Sequence, residues 1–409
     1  MAGDHQGREI ERQTTDDMKN PQFEFRRIAR KYSQLFLVLS LYLWLSTFQT
    51  YSQDFKSVHD GVEYAEVTRE ISGLKVNMNL LRLDLTKVRL NVHHAMDSAS
   101  GTEKTSSIAK RHGAIAAINA GFFRLDSSIW AGDAAGALAI DRKILSEPHY
   151  ERIGILIFDD LGKQTVMFSH LQLARTIIIF GKSDKMILKG INRERLDTDD
   201  VVVYTPEFHR TTLTNSNGAE AVIRNNKVTS IAPDRGSSVI PNDGWVLSVT
   251  GQFVNMMRDM QVGQSVKVPS NIGWSYEGRK KRNADVSYDA TNGVPQLIKD
   301  GKIDITWEQE KTTKAFVETR HPRTAVAKLK DGKFLMITVD GRSESSGGIG
   351  LQDLAEYLLS IGAVDAMNLD GGGSTTMFLD GKVVNHPSDK EGERKVGDAI
   401  LVTLRQNRK

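Results

Sequence analysis

The sequence predicts an α+β fold: a single large domain with a mixed β-sheet core and few, short helices. Three observations carry this prediction. Short runs that alternate with period two, or that are apolar throughout, recur along most of the chain. Helical spacing is confined to brief segments, and turn pairs such as Asp300-Gly301, Asp331-Gly332 and Asp380-Gly381 punctuate the second half. With 409 residues, 39% of them hydrophobic and 26% charged, the chain is long enough to bury a sizeable core. No composition break divides residues 53–409, which read as one domain.

Residues 1–52 read as a signal peptide with a long n-region. Arg26, Arg27, Arg30 and Lys31 precede an apolar run from Leu35 to Phe48, which has h-region length but is short for a bilayer span. Thr50 and Ser52 then occupy the cleavage positions, and Met18 is an alternative start. An uncleaved anchor is the competing reading. The expectation is an exported protein, periplasmic, cell-surface or secreted, with no stable membrane span after cleavage. The absence of cysteine excludes disulfides, zinc–thiolate sites and thiol nucleophiles, and an exported chain without disulfides looks bacterial. A net charge of +3 and the lack of a basic, aromatic-interleaved stripe speak against nucleic acid as a partner. Oligomeric state is left open.

Val62–Val67, Val76–Leu81 and Leu83–Val92 alternate as strands. A short helix is expected over Thr105–His112, stopped by Gly113, and a buried strand over Ala114–Ile118 leads to Asn119. Gly154–Phe158, Thr176–Phe180, Val201–Tyr204, Ala221–Ile223 and Trp245–Val249 read as further short strands. Residues 270–292, with the basic run Gly278–Arg282, read as a surface excursion. Ala325–Leu329 and the unbroken apolar run Phe334–Val339 are strands, the second a central one. Leu351, Leu354, Ala355, Leu358 and Leu359 then share one helix face, Gly362 stops that helix, and Val364–Leu369 is a mostly buried strand. HGAIAAINAGFF from His112 aligns with IGAVDAMNLDGG from Ile361, a possible internal helix–strand repeat that sets Asn119 against Asn368.

Three buried strands therefore end in polar groups: Asn119, Asp340 with Arg342, and Asn368 with Asp370. Strand ends that deliver polar side chains into one crevice are where sites form. Gly371, Gly372 and Gly373 carry a high ordering cost, which is worth bearing where backbone takes positive φ or approaches a ligand. With Ser374 and Thr375 they read either as a concave anion site or as a ligand-free tight turn. Arg323 and Arg342 are candidate phosphate clamps, since guanidinium offers a planar fork of donors. His321 is an acid or base candidate or a turn residue before Pro322, and Glu344 is a spare carboxylate. No zinc-peptidase, Walker A, nucleophile-elbow or EF-hand spacing occurs, nor any metal-ligand spacing among the ten histidines, so neither metal nor cofactor is expected.

At these residues the chain resembles the phosphodiester glycosidase family. INAGFF at Ile118, DGWVLSVTGQ at Asp243, NGVPQLIKDGK at Asn292, RTAVA at Arg323, TVDGR at Thr338 and above all AMNLDGGGSTTM at Ala366 carry the likeness, in order, across roughly 62–402. Asn292 departs from the family's usual glycine pair, and the 270–292 excursion looks individual. The resemblance implies hydrolysis of a sugar-1-phosphodiester at its glycosidic bond, giving free sugar and a phosphomonoester. Asp340 or Asp370 would act as nucleophile or base, Asn119 and Asn368 would complete the catalytic set, and Arg323, Arg342 and the glycine turn would hold the phosphate. The rival readings are a non-catalytic glycan-binding or envelope-assembly protein and a phosphodiesterase that cuts the P–O bond. The partner expected in each case is a sugar phosphodiester or glycan.

Overall fold

An eight-stranded sheet organises the molecule, and its middle is where the apolar runs of the sequence lie. From one edge to the other its strands are Lys56–His59, Val62–Ile71, Leu74–Leu83, Phe334–Val339, Arg323–Leu329, Ala363–Asn368, Gln296–Lys299 and Lys302–Ile303, each antiparallel to its neighbours. Phe334–Val339 is buried at every position. Leu335, Ile337 and Val339 face the helix Leu351–Ser360, whereas Phe334 and Met336 face the core shared with the other sheets. A strand covered on both faces has no polar side to show, which is why its sequence does not alternate. Leu351, Leu354, Ala355 and Leu358 of that helix are all at 0% exposure, and burying each leucine contributes about 1.5–3 kcal/mol.

This computed structural model describes residues 54–405 apart from 150, 161, 174–176, 181–183, 268–273 and 277–286. The signal-peptide reading of 1–52 and the basic run at 278–282 lie outside the described residues, and the strand expected from Thr176 is described as Ile177–Phe180. The described residues fall in one compact unit, Gln53–Lys409, and none of their helices is long and apolar enough to cross a membrane. The short helix Thr105–Arg111, the strand Val201–Tyr204 and the strand Phe334–Val339 form where the sequence puts them. One expectation is overturned. Ser287–Asn292 is no surface excursion but a strand paired between Leu138–Ile140 and Ile153–Asp160, with Ala290 and Thr291 fully buried. Its alternation is too short to read beside the charged run that precedes it.

A second, five-stranded sheet has the order Lys382–Val383, Met377–Leu379, Ala116–Asn119, Asp398–Leu404, Val88–His94. The last strand of the chain thus sits between two of the earliest, pairing with both. Elsewhere the described pairings are antiparallel except for the two-residue parallel ladder of Gly190–Ile191 with Val201–Tyr204, which makes that sheet mixed. The aligned sequence segments adopt the same sequence of elements. Thr105–Arg111 turns at Gly113 (φ +63°) into Ala116–Asn119, and Leu351–Ser360 turns at Gly362 (φ +94°) into Ala363–Asn368. Both glycines sit in left-handed backbone that a side chain would strain. The two units belong to different sheets, and their carboxyl ends meet.

Candidate active site

Asn119 fastens the two strand ends together. Its Nδ2 donates to the Asp370 carbonyl at 2.7 Å, and its Oδ1 accepts from Thr324 Oγ1 at 2.8 Å and from the Thr376 N–H at 3.0 Å. The Asp370 N–H in turn donates to the Ala120 carbonyl at 3.0 Å. Asn119 is fully buried with both ends of its amide engaged, which fits a positioning role better than the catalytic one expected of it. Asn368 is equally buried. Its Nδ2 donates to the carbonyls of Val294 and Leu369, and its Oδ1 has no partner among the described residues.

Asp370 is only partly exposed, and its Oδ1 accepts the Gly371 N–H at 2.9 Å. Burial pushes its carboxyl up to about 6. The nearby Ser374 hydroxyl, the Gly371 N–H and the positive charge of Arg394 oppose that rise, while the negative charge of Asp398 adds to it. Asp340 is 5% exposed, at the end of Phe334–Val339. Its Oδ1 accepts the His386 N–H at 2.9 Å and Asn385 Nδ2 at 3.3 Å, while Asn385 also donates to the Thr375 carbonyl and accepts the Met377 N–H. Burial raises the Asp340 carboxyl above the ordinary range, against those two donors. The two carboxylates are thus linked to one loop, Asp340 through Asn385 and Asp370 as part of it.

The N–H groups of the glycine turn, Gly373 apart, are already engaged, which leaves little of the anion cradle expected there. The N–H groups of Gly371, Gly372, Ser374, Thr375 and Thr376 already donate, to Asp370 Oδ1, Pro322 O, Gly371 O, Gly372 O and Asn119 Oδ1 respectively. The three glycines serve close packing instead. A Cβ on Gly371 would meet the Pro322 carbonyl at 2.8 Å, Gly372 has φ +60° and lies under the Arg342 guanidinium, and a Cβ on Gly373 would collide with the Arg394–Asp389 ion pair. Ser374 and Thr375 are buried beneath the turn, out of reach of a ligand in this conformation.

The two arginines separate sharply. Arg323 is 1% exposed, and its guanidinium donates to the carbonyls of Ile349, Phe316 and Thr319 at 3.2, 2.6 and 2.8 Å while stacking on the Phe316 ring. Its Nε and Nη2 are spent on backbone, so the side chain braces residues 316–349 where a phosphate clamp was expected. Arg342 is exposed, has left-handed backbone (φ +60°), and has no carboxylate partner among the described residues; His321 Nδ1 lies 3.5 Å from its Nη2. Burial and then the charges of Arg323 and Arg342 hold the His321 imidazole below its ordinary range, hence neutral near pH 7. Glu344 is exposed.

Several contributors carried no signal in the sequence. Asn385, Asp389, Arg394 and Asp398 come from one late segment without a motif. Asp398, 2% exposed, accepts the Gly121 N–H at 2.7 Å and the Thr291 hydroxyl, and so fixes the INAGFF loop from behind. Asn292 holds the same loop: its Oδ1 accepts the Phe122 N–H at 2.9 Å and its Nδ2 donates to the Phe122 carbonyl at 3.2 Å. A cavity of about 420 Å³ lies at the other end of the central sheet, lined by Asp84, Lys163, Lys328, Lys333 and Phe334 among others. Two of its lysines are already paired, Lys328 with Asp365 and Lys333 with Glu63.

Residues 217–403 match the phosphodiester glycosidase family. The chain is 40% identical over 107 residues to the Bacillus subtilis SPbeta prophage-derived protein YomE, covering 26% of this chain and 16% of that protein. It is likewise 40% identical over 107 residues to N-acetylglucosamine-1-phosphodiester alpha-N-acetylglucosaminidase of Bos taurus, covering 24% of this chain and 20% of the bovine one. The chain therefore matches no more than a fifth of the length of these relatives. The fold is shared with a hypothetical protein from Synechocystis at a TM-score of 0.73 and 23% identity, over 87% of this chain and 64% of that one. The segment matched to that family, 217 to 403, carries Asp340, Arg342 and the Asp370 turn.

Proposed function

We propose that this protein is an exported hydrolase that cleaves the glycosidic bond of a sugar-1-phosphodiester. The observation that carries this reading is the exposed, carboxylate-free guanidinium of Arg342 set over Gly372, in the same turn as a carboxyl raised to about 6. An unpaired guanidinium is matched to a phosphodiester oxygen, and neutral His321 beside it adds a hydrogen-bonding group. Of the two carboxylates, Asp370 is the better base, being partly exposed where Asp340 is capped by His386 and Asn385.

In the proposed step a water attacks the anomeric carbon while Asp370 takes its proton. The bond from that carbon to the phosphate oxygen breaks, and the phosphomonoester leaves with the electron pair. Phosphate is already a good leaving group, so stabilising its charge through Arg342 matters more than protonating it. The family match and the bovine relative's activity support the substrate class, and the basic n-region and short apolar run of residues 1–52 support export.

Purified protein incubated with a panel of sugar-1-phosphodiesters tests the reading. Free reducing sugar with a phosphomonoester is expected. Sugar 1-phosphate would transfer the protein to the P–O-cleaving class, and binding without product would make it a glycan-binding protein.

A further inference from the structure

Away from this site, two histidines that are 19 positions apart in the sequence meet. His93 lies near the end of strand Val88–His94, Asp97 closes the turn after it, and His112 caps the carboxyl end of helix Thr105–Arg111. One ligating atom from each of His93, Asp97 and His112 lies within 4.8 Å of the others. His112 Nε2 is 2.9 Å from Asp97 Oδ1, and the two imidazoles stack with centroids 3.7 Å apart. His93 is half-buried, and its ring has no hydrogen-bond partner among the described residues.

We propose that His93, Asp97 and His112 form a binding site for a divalent transition metal, with Zn²⁺ the ion best matched to it. Two imidazole nitrogens and a carboxylate oxygen are a borderline-soft donor set, and three protein ligands leave a position for water. Stacked rings, tilted by only 28°, cannot both aim lone pairs at one ion. One must turn about χ2, a torsion that is broad for histidine, and His93 breaks no hydrogen bond in doing so. Arg111 is the competing cation: its Nη1 bonds Asp97 Oδ2 and lies 3.1 Å from His112 Nε2. It has an alternative, because Nη2 and Nε also donate to Glu103 at 2.9 and 3.4 Å. A bound ion would take Asp97 and His112 and leave Arg111 to Glu103, joining the end of the helix to the end of the strand.

The test is titration of the purified full chain with Zn²⁺ by calorimetry, and with Co²⁺ followed by its visible absorption. One ion per chain is expected from the calorimetric and absorption end points, with a Tm that continues to rise with free Zn²⁺ above the dissociation constant. Loss of a ligand in His93→Ala or His112→Ala should weaken binding by at least the ~10–100-fold seen for outer-shell groups. His93→Phe keeps the stacked ring without its nitrogens, so a well-folded His93→Phe variant that no longer binds supports the site independently of any folding defect. Arg111→Gln should tighten binding, because the competing charge is gone. Absence of Zn²⁺ binding by the wild-type chain, or unchanged affinity in the His93→Phe/His112→Ala variant, overturns the proposal.

Discussion

The two helix–turn–strand units end in the same residue and use it differently. Asn119 spends both ends of its amide on tying Asp370, Thr324 and Thr376 together. Asn368 uses its Nδ2 and keeps a buried oxygen without a partner among the described residues. A buried polar atom without a partner is costly, so it persists where the surroundings over-determine it. One unit is therefore the fastening, and the other bears the Asp370 turn that is fastened. The likeness in sequence reflects a shared way of ending a strand in a crevice, while the proposed base, Asp370, follows the second unit alone.

The substitution expected to separate the units most is Asp370→Asn. It should lower turnover by about 10²–10⁴-fold, because the amide cannot take a proton, and leave the melting temperature at pH 7 unchanged or higher. An active Asp370→Asn enzyme would move the base to Asp340. Asn119→Ala, in the fastening unit, should instead cost about 3 kcal/mol of stability, since it strands a buried carbonyl and a buried N–H. Asn368→Ala should cost less, because it also removes the orphaned oxygen. Urea denaturation compares them, and the reverse order would break the distinction.

Arg342 and Arg323 extend the same contrast. Arg342→Ala should reduce kcat/KM by about 100-fold at unchanged stability, with Arg342→Lys restoring only part of it. Arg323→Ala should lower the urea midpoint, because three carbonyls lose their donor. Equal loss of stability in both Ala variants would contradict the assignment.

The smallest expected effect is the pH dependence. With the Asp370 carboxyl raised to about 6, kcat/KM should fall about tenfold per unit below that pH and level off above it. The linkage to stability has the opposite sense. The folded state keeps this proton where the unfolded chain has lost it, so the contribution of Asp370 to stability declines as pH climbs from the ordinary carboxylate range to about 6. Asp370→Asn should remove that slope, and comparison of the two denaturation profiles checks it.

What could be read in the sequence was what local pattern determines. Phe334–Val339 and Val201–Tyr204 are unbroken apolar runs bounded by turns, and they are strands because nothing else buries them so well. The polar strand ends were legible for the same reason. Arg323 was misread because no pattern records that three carbonyls from 316–349 converge on its side chain. Asn385, Arg394 and Asp398 stayed hidden because they reach the site through pairing between distant segments. The pairing of His93 with His112 was hidden likewise, since its spacing follows no ligand motif and only the return of helix Thr105–Arg111 beside Val88–His94 closes it.

The position of the final strand has a consequence for the order of events during synthesis. Asp398–Leu404 inserts between Ala116–Asn119 and Val88–His94, and its first residue holds the loop beside Asp370. A nascent chain that has emerged as far as the glycine turn already contains Asp340, Arg342 and Asp370, yet its second sheet lacks the strand that joins the two halves. Pairings across such sequence separations form slowly, because the loop they close must be ordered before any contact rewards it. Activity should therefore appear only after the last strand has docked, as one late step, and chains truncated before Asp398 should stay inactive with every proposed catalytic residue in place.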